Sequence, residues 1–256
     1  MDRRGFIRLT GMTSVVGLLG KPILNAAGLL RPGEALTNKP PIVGKRWAMV
    51  IDTRKCLEKE GCRDCINACH HIHNVPEFDN AKDEIKWIWK EKYEQAFPEQ
   101  ENEYIEDGLK EKSVLVLCNH CDNPPCVRVC PTQATWKRED GIVMMDWHRC
   151  IGCRYCMAAC PYGSRSFNWR DPRPFIKEIV TDFPTRTRGV VEKCTFCEER
   201  LAKGLIPACV EACPEKALIF GDLEDPQSEL RELLRVHFSF RRKTNLGTQP
   251  ELYYIV

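Results

Sequence analysis

The chain has 256 residues, 16 of them cysteine, and its 38 Lys and Arg against 36 Asp and Glu leave a formal charge of +2. That length allows one large domain or two small ones, and 43% hydrophobic residues suits a soluble globule better than a membrane bundle. The charges are interspersed rather than gathered into a basic arm, which argues against a nucleic-acid partner, and the cysteine share, far above ordinary usage, has to be explained first.

Residues 1–30 stand apart. The stretch "MDRRGFIRLTGMTSVVGLLG" sets Arg3 beside Arg4, follows them with Phe6 and Ile7, and continues in a mild apolar run from Leu9 to Gly20. It resembles a twin-arginine export signal, cleaved or retained, which would place the protein on the periplasmic, extracytoplasmic side of the cytoplasmic membrane. An amphipathic arm and a membrane anchor are the competing readings. The run spans a bilayer only if Lys21-Pro22 is tolerated and the segment extends to Leu30.

Further along, "RWAMVID" reads as a strand before the first cysteine group, Cys56, Cys62, Cys65 and Cys69, behind which crowd His70, His71 and His73. An insertion covers 81–112. Within it, "KDEIKWIWKEKYEQAF" puts Ile85, Ile88 and its aromatics on an imperfect helical face, which predicts a helix covering its own domain or a surface for a partner subunit. "KSVLVLC" predicts a strand leading into the second group, Cys118, Cys121, Cys126 and Cys130. "GIVMMD" predicts another before the third, Cys150, Cys153, Cys156 and Cys160, with its methionines packing the interior. The fourth group, Cys194, Cys197, Cys209 and Cys213, is followed by a strand in "ALIFGD". The C-terminal extension, 222–256, contains "SELRELLRVHFSFRRK" at 228–243, a predicted surface helix ending in solvated Arg241, Arg242 and Lys243.

Four groups of four cysteines, three of them closed by Pro131, Pro161 and Pro214, form an internal repeat of motifs. Disulfides suit an exported chain with an even count, but bridges inside such tight turns are strained and cross-link little chain. Structural zinc fits the spacing of the fourth group taken alone and not that of the third. The third group, Cys-x2-Cys-x2-Cys-x3-Cys-Pro, is the bacterial ferredoxin run. Its first three thiolates wrap one 4Fe-4S cube, with loop amides aimed at the sulfurs. About one helical turn then carries Cys160 away toward a second cube, and Pro161 ends that turn. Groups therefore come in pairs, and sixteen thiolates at four per cube make four 4Fe-4S clusters with none left over. Export of a folded, loaded protein would reconcile clusters assembled on reduced thiols with an oxidising destination. There is no Cys-x-x-Cys-His run for covalent haem and no phosphate-binding glycine loop.

The motifs "CNHCDNPPCVRVCPTQATW" at 118–136, "CIGCRYCMAACPYG" at 150–163 and "EKCTFCEERLAKGLIPACVEACPEKAL" at 192–218 closely resemble the four-cluster iron-sulfur subunits of polysulfide, dimethyl sulfoxide and cytochrome-dependent nitrite reductase systems, over roughly residues 45–256. With the leader and the ending "LGTQPELYYIV", the combination is most similar to the iron-sulfur subunits of menaquinone-linked membrane complexes in dissimilatory sulfate reducers. The resemblance implies an α+β fold of two ferredoxin-like modules with approximate twofold symmetry, each holding two clusters. It further implies that group one pairs with group four and group two with group three. One cluster would then take Cys56, Cys62, Cys65 and Cys213; its pair Cys69, Cys194, Cys197 and Cys209; a third Cys118, Cys121, Cys126 and Cys160; and the fourth Cys130, Cys150, Cys153 and Cys156. The first group departs from the family's shorter spacing, and the two extra residues, within Leu57 to Gly61, are expected to bulge outward.

By the same resemblance the chain makes no bonds itself. It would relay single electrons through four clusters between an integral membrane quinone-binding subunit and a multihaem cytochrome or other catalytic partner, in a respiratory complex linked to sulfur or sulfite metabolism, touching the membrane only through its partners. The alternative is the electron-transfer subunit of a molybdopterin oxidoreductase of polysulfide, tetrathionate or dimethyl sulfoxide type; a metal-stapled scaffold is the third reading. Arg63, Arg128, Arg154 and Arg200 are candidates to offset cluster charge, with half or more expected to face water. His70, His71 and His73 are expected to support ligands or lie on the surface, and His120 and His148 to do the same near other clusters.

Overall fold

The computed structural model describes residues 39–100, 103–105 and 107–256. The export-signal expectation for 1–30 lies outside them. The chain divides into Met1–Pro40 and Pro41–Val256, and the second unit holds all sixteen cysteines. None of its helices is long and apolar enough to cross a membrane, among the described residues.

Strands are β1 (Trp47–Asp52), β2 (Ile88–Lys92), β3 (Ser113–Leu117), β4 (Thr135–Lys137), β5 (Val143–Met145), β6 (Ser166–Phe167), β7 (Val191–Glu192), β8 (Leu218–Asp222), β9 (Ser239–Phe240) and β10 (Leu252–Ile255). Helices are α1 (Thr53–Glu58), α2 (Asp64–Ile72), α3 (Tyr93–Ala96), α4 (Asp107–Lys110), α5 (Pro125–Arg128), α6 (Tyr155–Ala159), α7 (Glu198–Leu201), α8 (Ala208–Glu211) and α9 (Glu229–Val236). The result is a mixed α and β fold of one four-stranded sheet, ordered β8-β1-β10-β9, and three two-stranded ribbons, β2-β3, β4-β5 and β6-β7.

Burial of both faces explains why "WAMVID" is an unbroken apolar run. Trp47, Met49 and Ile51 point into the main core beside the cysteines, while Ala48 and Val50 point the other way, onto Leu230 of α9. The four strands predicted around the cysteine groups are all present, as β1, β3, β5 and β8. The chain's last strand, β10, lies between β1 and β9, parallel to β1 with Met49 opposite Leu252, so the C-terminal extension supplies an interior strand of the main sheet.

Two expectations are corrected. In the insertion, Trp87, Ile88 and Trp89 are consecutive and all buried, which one helical face cannot achieve; the segment forms β2, antiparallel to β3 with Ile88 opposite Leu117, and its end, α3, is helical. At the C-terminus, α9 starts on a Ser228 side chain that accepts from the Arg231 amide, but it stops at Val236 rather than continuing to 243. Its apolar stripe runs out there, since Val236 and Phe238 face solvent, and Ser239–Phe240 pairs with β10. Arg242 is buried rather than solvated and donates Nε to the Ala96 carbonyl at 2.8 Å.

The stretch between β6 and β7 has no regular element longer than one turn, and an ion pair organises it. Arg186 and Glu192, both fully buried, meet at 2.6 Å. Glu192 also accepts from Trp87 Nε1 at 3.0 Å and Asn168 Nδ2 at 2.5 Å, while Arg186 donates to the carbonyls of His73, Asn74 and Pro184. Segments more than a hundred residues apart are thereby tied at one point. Arg186→Met, which strands the Glu192 charge, should cost about 3–5 kcal/mol. Anaerobic urea unfolding followed by tryptophan fluorescence checks this, and the double variant with Glu192→Met should recover most of the loss.

Candidate metal centres

Each cysteine reaches its place through a short local device. Asp52 caps α1, its carboxylate accepting from the amides of Arg54 and Lys55, and so holds Cys56 on the first helical turns. Residues 59–61 then form an exposed turn, with Gly61 at φ +73°, where the long first spacing is absorbed outward. Cys65 and Cys69 are four apart on α2, and Cys156 and Cys160 four apart along α6, where Cys160 is the cap residue with an extended backbone. In the third group Gly152 at φ +69° is required twice over. A Cβ there would collide with the Gly189 carbonyl, and its backbone angle suits glycine.

The folded chain gathers the sixteen thiols, all free, into four sets. Site I is a pocket lined by Cys56, Cys62, Cys65 and Cys213, with Lys59 and Lys90 at its wall. Site II collects Cys69, Cys194, Cys197 and Cys209, every one of them buried, and the charges of the last three act on Cys69. Site III is lined by Cys118, Cys121, Cys126 and Cys160. Site IV is lined by Cys130, Cys150, Cys153 and Cys156.

Burial pushes up the thiols of Cys56, Cys65, Cys69, Cys121, Cys156, Cys160, Cys194, Cys197 and Cys209, Cys65 and Cys194 to about 12, and neighbouring thiols push them further. Across sites, Cys65 acts on Cys209, Cys118 on Cys194 and Cys126 on Cys156, so the sites follow one another in the order I, II, III, IV. Cys130 is the exception. Burial raises it, but the amides of Thr135, Ala134 and Thr132 and the Thr132 hydroxyl outweigh burial and bring it below its ordinary value.

The donor set can be tested against its candidate occupants. Tetrahedral zinc, with Zn–S bonds of about 2.3 Å, would draw its sulfurs to roughly 3.8 Å from one another. Among the described residues no three cysteine sulfurs lie within 4.8 Å of each other, so every set is too open for a single zinc ion. All four are open enough for a larger thiolate-ligated group. Asn119, 1% exposed beside Cys118 at the wall of site III, leaves both side-chain amide atoms without a protein partner, as a donor held for such an occupant would.

Among the described residues, the one trio of candidate ligand atoms within that distance is His73, Cys197 and Glu199. Its closeness comes from the 3.0 Å hydrogen bond between His73 Nε2 and Glu199, and Cys197 already belongs to site II. His73 is buried, stacks on Trp87 and holds Nδ1 3.5 Å from Cys69 Sγ, so it supports site II from behind. His70 is driven down to about 4 by burial, and His71 and His148 are exposed. His120, fully buried, accepts from the Val143 amide and stacks on Phe196 between the loops of sites II and III; burial and the charges of Lys193 and Arg165 keep it neutral.

Of the arginines singled out in the sequence, Arg63, Arg128 and Arg154 are exposed and Arg200 half-buried, paired with Glu211. Arg154 lies over Trp169 and Phe167. Sequence reasoning passed over two buried cations, Arg165, which donates to Cys126 Sγ at 3.1 Å, and Lys193, which donates to the carbonyls of Val143 and Cys194. Their signal was slight: a charge next to Cys194, and a charge five residues past Cys160.

The 4Fe-4S dicluster domain family matches residues 113–173 and 180–223. Along 99% of its length the chain is 41% identical to the Hdr-like menaquinol oxidoreductase iron-sulfur subunit 1 of Archaeoglobus fulgidus, of which 97% is covered. It is 38% identical over 82% of its length to the menaquinone reductase iron-sulfur cluster-binding subunit of Nitratidesulfovibrio vulgaris, of which 88% is covered. A subunit of the tetrathionate reductase of Salmonella typhimurium is 39% identical over 82% of this chain and 72% of that protein. Sixteen cysteines in four motifs fit four 4Fe-4S clusters. The chain belongs to the 4Fe-4S dicluster family of iron-sulfur subunits, the electron-transfer components of larger oxidoreductases.

Proposed function

We propose that each of the four thiol sets holds one 4Fe-4S cluster: Cys56, Cys62, Cys65 and Cys213 the first, Cys69, Cys194, Cys197 and Cys209 the second, Cys118, Cys121, Cys126 and Cys160 the third, and Cys130, Cys150, Cys153 and Cys156 the fourth. The observation that carries this reading is the exchange of the last cysteine of each group, which leaves its own group's cavity for the neighbouring one. Sites I and II share groups one and four, and sites III and IV share groups two and three, which supports two ferredoxin-like modules related by an approximate twofold axis. A cluster of this kind supplies one-electron chemistry over a wide range of potentials. The chain contributes the thiolates, the amides around Cys130, and the exclusion of water from site II.

The subunit then relays single electrons between a quinone-reactive integral membrane subunit and a multihaem cytochrome or catalytic partner, in a respiratory complex of sulfur or sulfite metabolism. Two of the relatives above are named for menaquinol or menaquinone reactions, which supports the quinone side. A second reading, service to a molybdopterin reductase, is favoured by the tetrathionate reductase relative. The Arg3-Arg4 segment supports export by the twin-arginine route to the outer face of the cytoplasmic membrane, with attachment through partners.

Anaerobic purification from native membranes should bring down an integral quinone protein and haem, with clusters reducible by a menaquinol analogue. Molybdenum in place of haem would favour the second reading, and zinc without visible absorption would contradict both. For the ligand sets, Cys118→Ser and Cys160→Ser should alter the same low-temperature EPR signal, each lowering iron by about four atoms per chain. Cys130→Ser and Cys150→Ser should share a different signal. Signals that group by sequence, with Cys118 beside Cys130, would contradict the exchange.

A further inference from the structure

Buried cations without a carboxylate partner are costly, and among the described residues there are three: Arg165 and Lys193 beside cysteines, and Arg242 over Tyr162 at the wall of site III. Arg165, 5% exposed, lies between sites III and IV. Its Nη2 donates to Cys126 Sγ at 3.1 Å and to Thr135 Oγ1 at 2.8 Å, and its charge also acts on Cys156. The Thr135 hydroxyl is itself anchored on the Met144 carbonyl at 2.6 Å, which fixes one acceptor of the guanidinium. Lys193, fully buried, lies between sites II and III. Its Nζ donates to the carbonyls of Val143 and Cys194, and its field reaches Cys118 and Cys126. Neither forms an ion pair with a carboxylate, whereas the fully buried Arg186 is neutralised by Glu192. The cations lining site I, Lys59 and Lys90, are exposed and half-buried.

An added electron makes a site one unit more negative, and a fixed positive charge in a poorly solvated interior stabilises that state far more than an exposed one does. We infer that Arg165 and Lys193 are the potential-setting residues of the relay and make site III its highest-potential member, the station at which an electron dwells between the two ends. This rests on the cluster assignment above. Electron balance is simple: site III takes one electron from a reduced neighbour, which is thereby oxidised, and passes it on, while no bond to the protein forms or breaks.

The test is potentiometric titration with EPR detection of the anaerobically purified, full-length, cluster-loaded protein, alongside Arg165→Gln, Lys193→Gln and Arg165→Lys. Arg165→Gln should lower the steps of sites III and IV, and Lys193→Gln those of sites II and III. The one step lowered by both must be the highest of the four in the wild type, and its reduction equilibrium constant should fall at least tenfold, equivalent to 59 mV for one electron. Arg165→Lys should retain most of the wild-type value, which a merely structural role for the side chain would not give. Unmoved potentials with full iron, or a shared step that is not the highest, overturn the inference and leave the cluster assignment intact. Wild-type iron far below about sixteen atoms per chain overturns the assignment itself, and this inference with it. If either glutamine variant loses iron, Cys160→Ser decides: the step it changes must be the highest one, and a change confined to any other step overturns the inference.

Discussion

Sulfur charge in a dry interior is the constraint on which the molecule turns. A buried thiol stays protonated at neutral pH unless something positive compensates its anion, and burial holds Cys65 and Cys194 at about 12. Iron supplies that compensation. Ligand ionisation, cluster binding and formation of the surrounding loops are then one linked equilibrium, as in other metal-organised folds. The pattern of short helices, few of them longer than two turns, follows from it: the loops are held by their sulfurs more than by extended helix packing.

Exchange of the last cysteine in each group has a consequence for both folding and transfer. A short helical element such as α2 or α6 carries sulfur from one site to the next, so adjacent sites share backbone and cannot be built independently. Such spacing sets the sites in one file, I to IV, each feeling the thiols of the next. Regular structure supports the file from outside. The β8-β1-β10-β9 sheet places Met49 and Ile51 against the cysteine-bearing core, and the Arg186–Glu192 pair fixes the stretch that bears no sheet or long helix.

The sequence made the cysteine groups and the strands beside them legible because both are local: spacing defines the loops, and short apolar runs define β1, β3, β5 and β8. The pairing of groups was not local and came from resemblance. What was misread lay where tertiary context overrides local pattern. "IKWIWK" is ambiguous until β3 supplies a partner, and a run of basic residues after α9 looks solvated until Arg242 is seen bonded to the Ala96 carbonyl. Arg165 and Lys193 were invisible for the same reason, since a charge reveals its burial only once the loops that close over it are known. The arginines chosen by proximity to cysteines along the chain lie exposed or half-buried.

The most direct test of the account is diffraction from anaerobic crystals at wavelengths on either side of the iron absorption edge. It predicts four separate iron centres in single file, at the sets of Cys213, Cys69, Cys160 and Cys130 in that order. Fewer than four, a branched arrangement, or a signal at the zinc edge in place of the iron edge would contradict it.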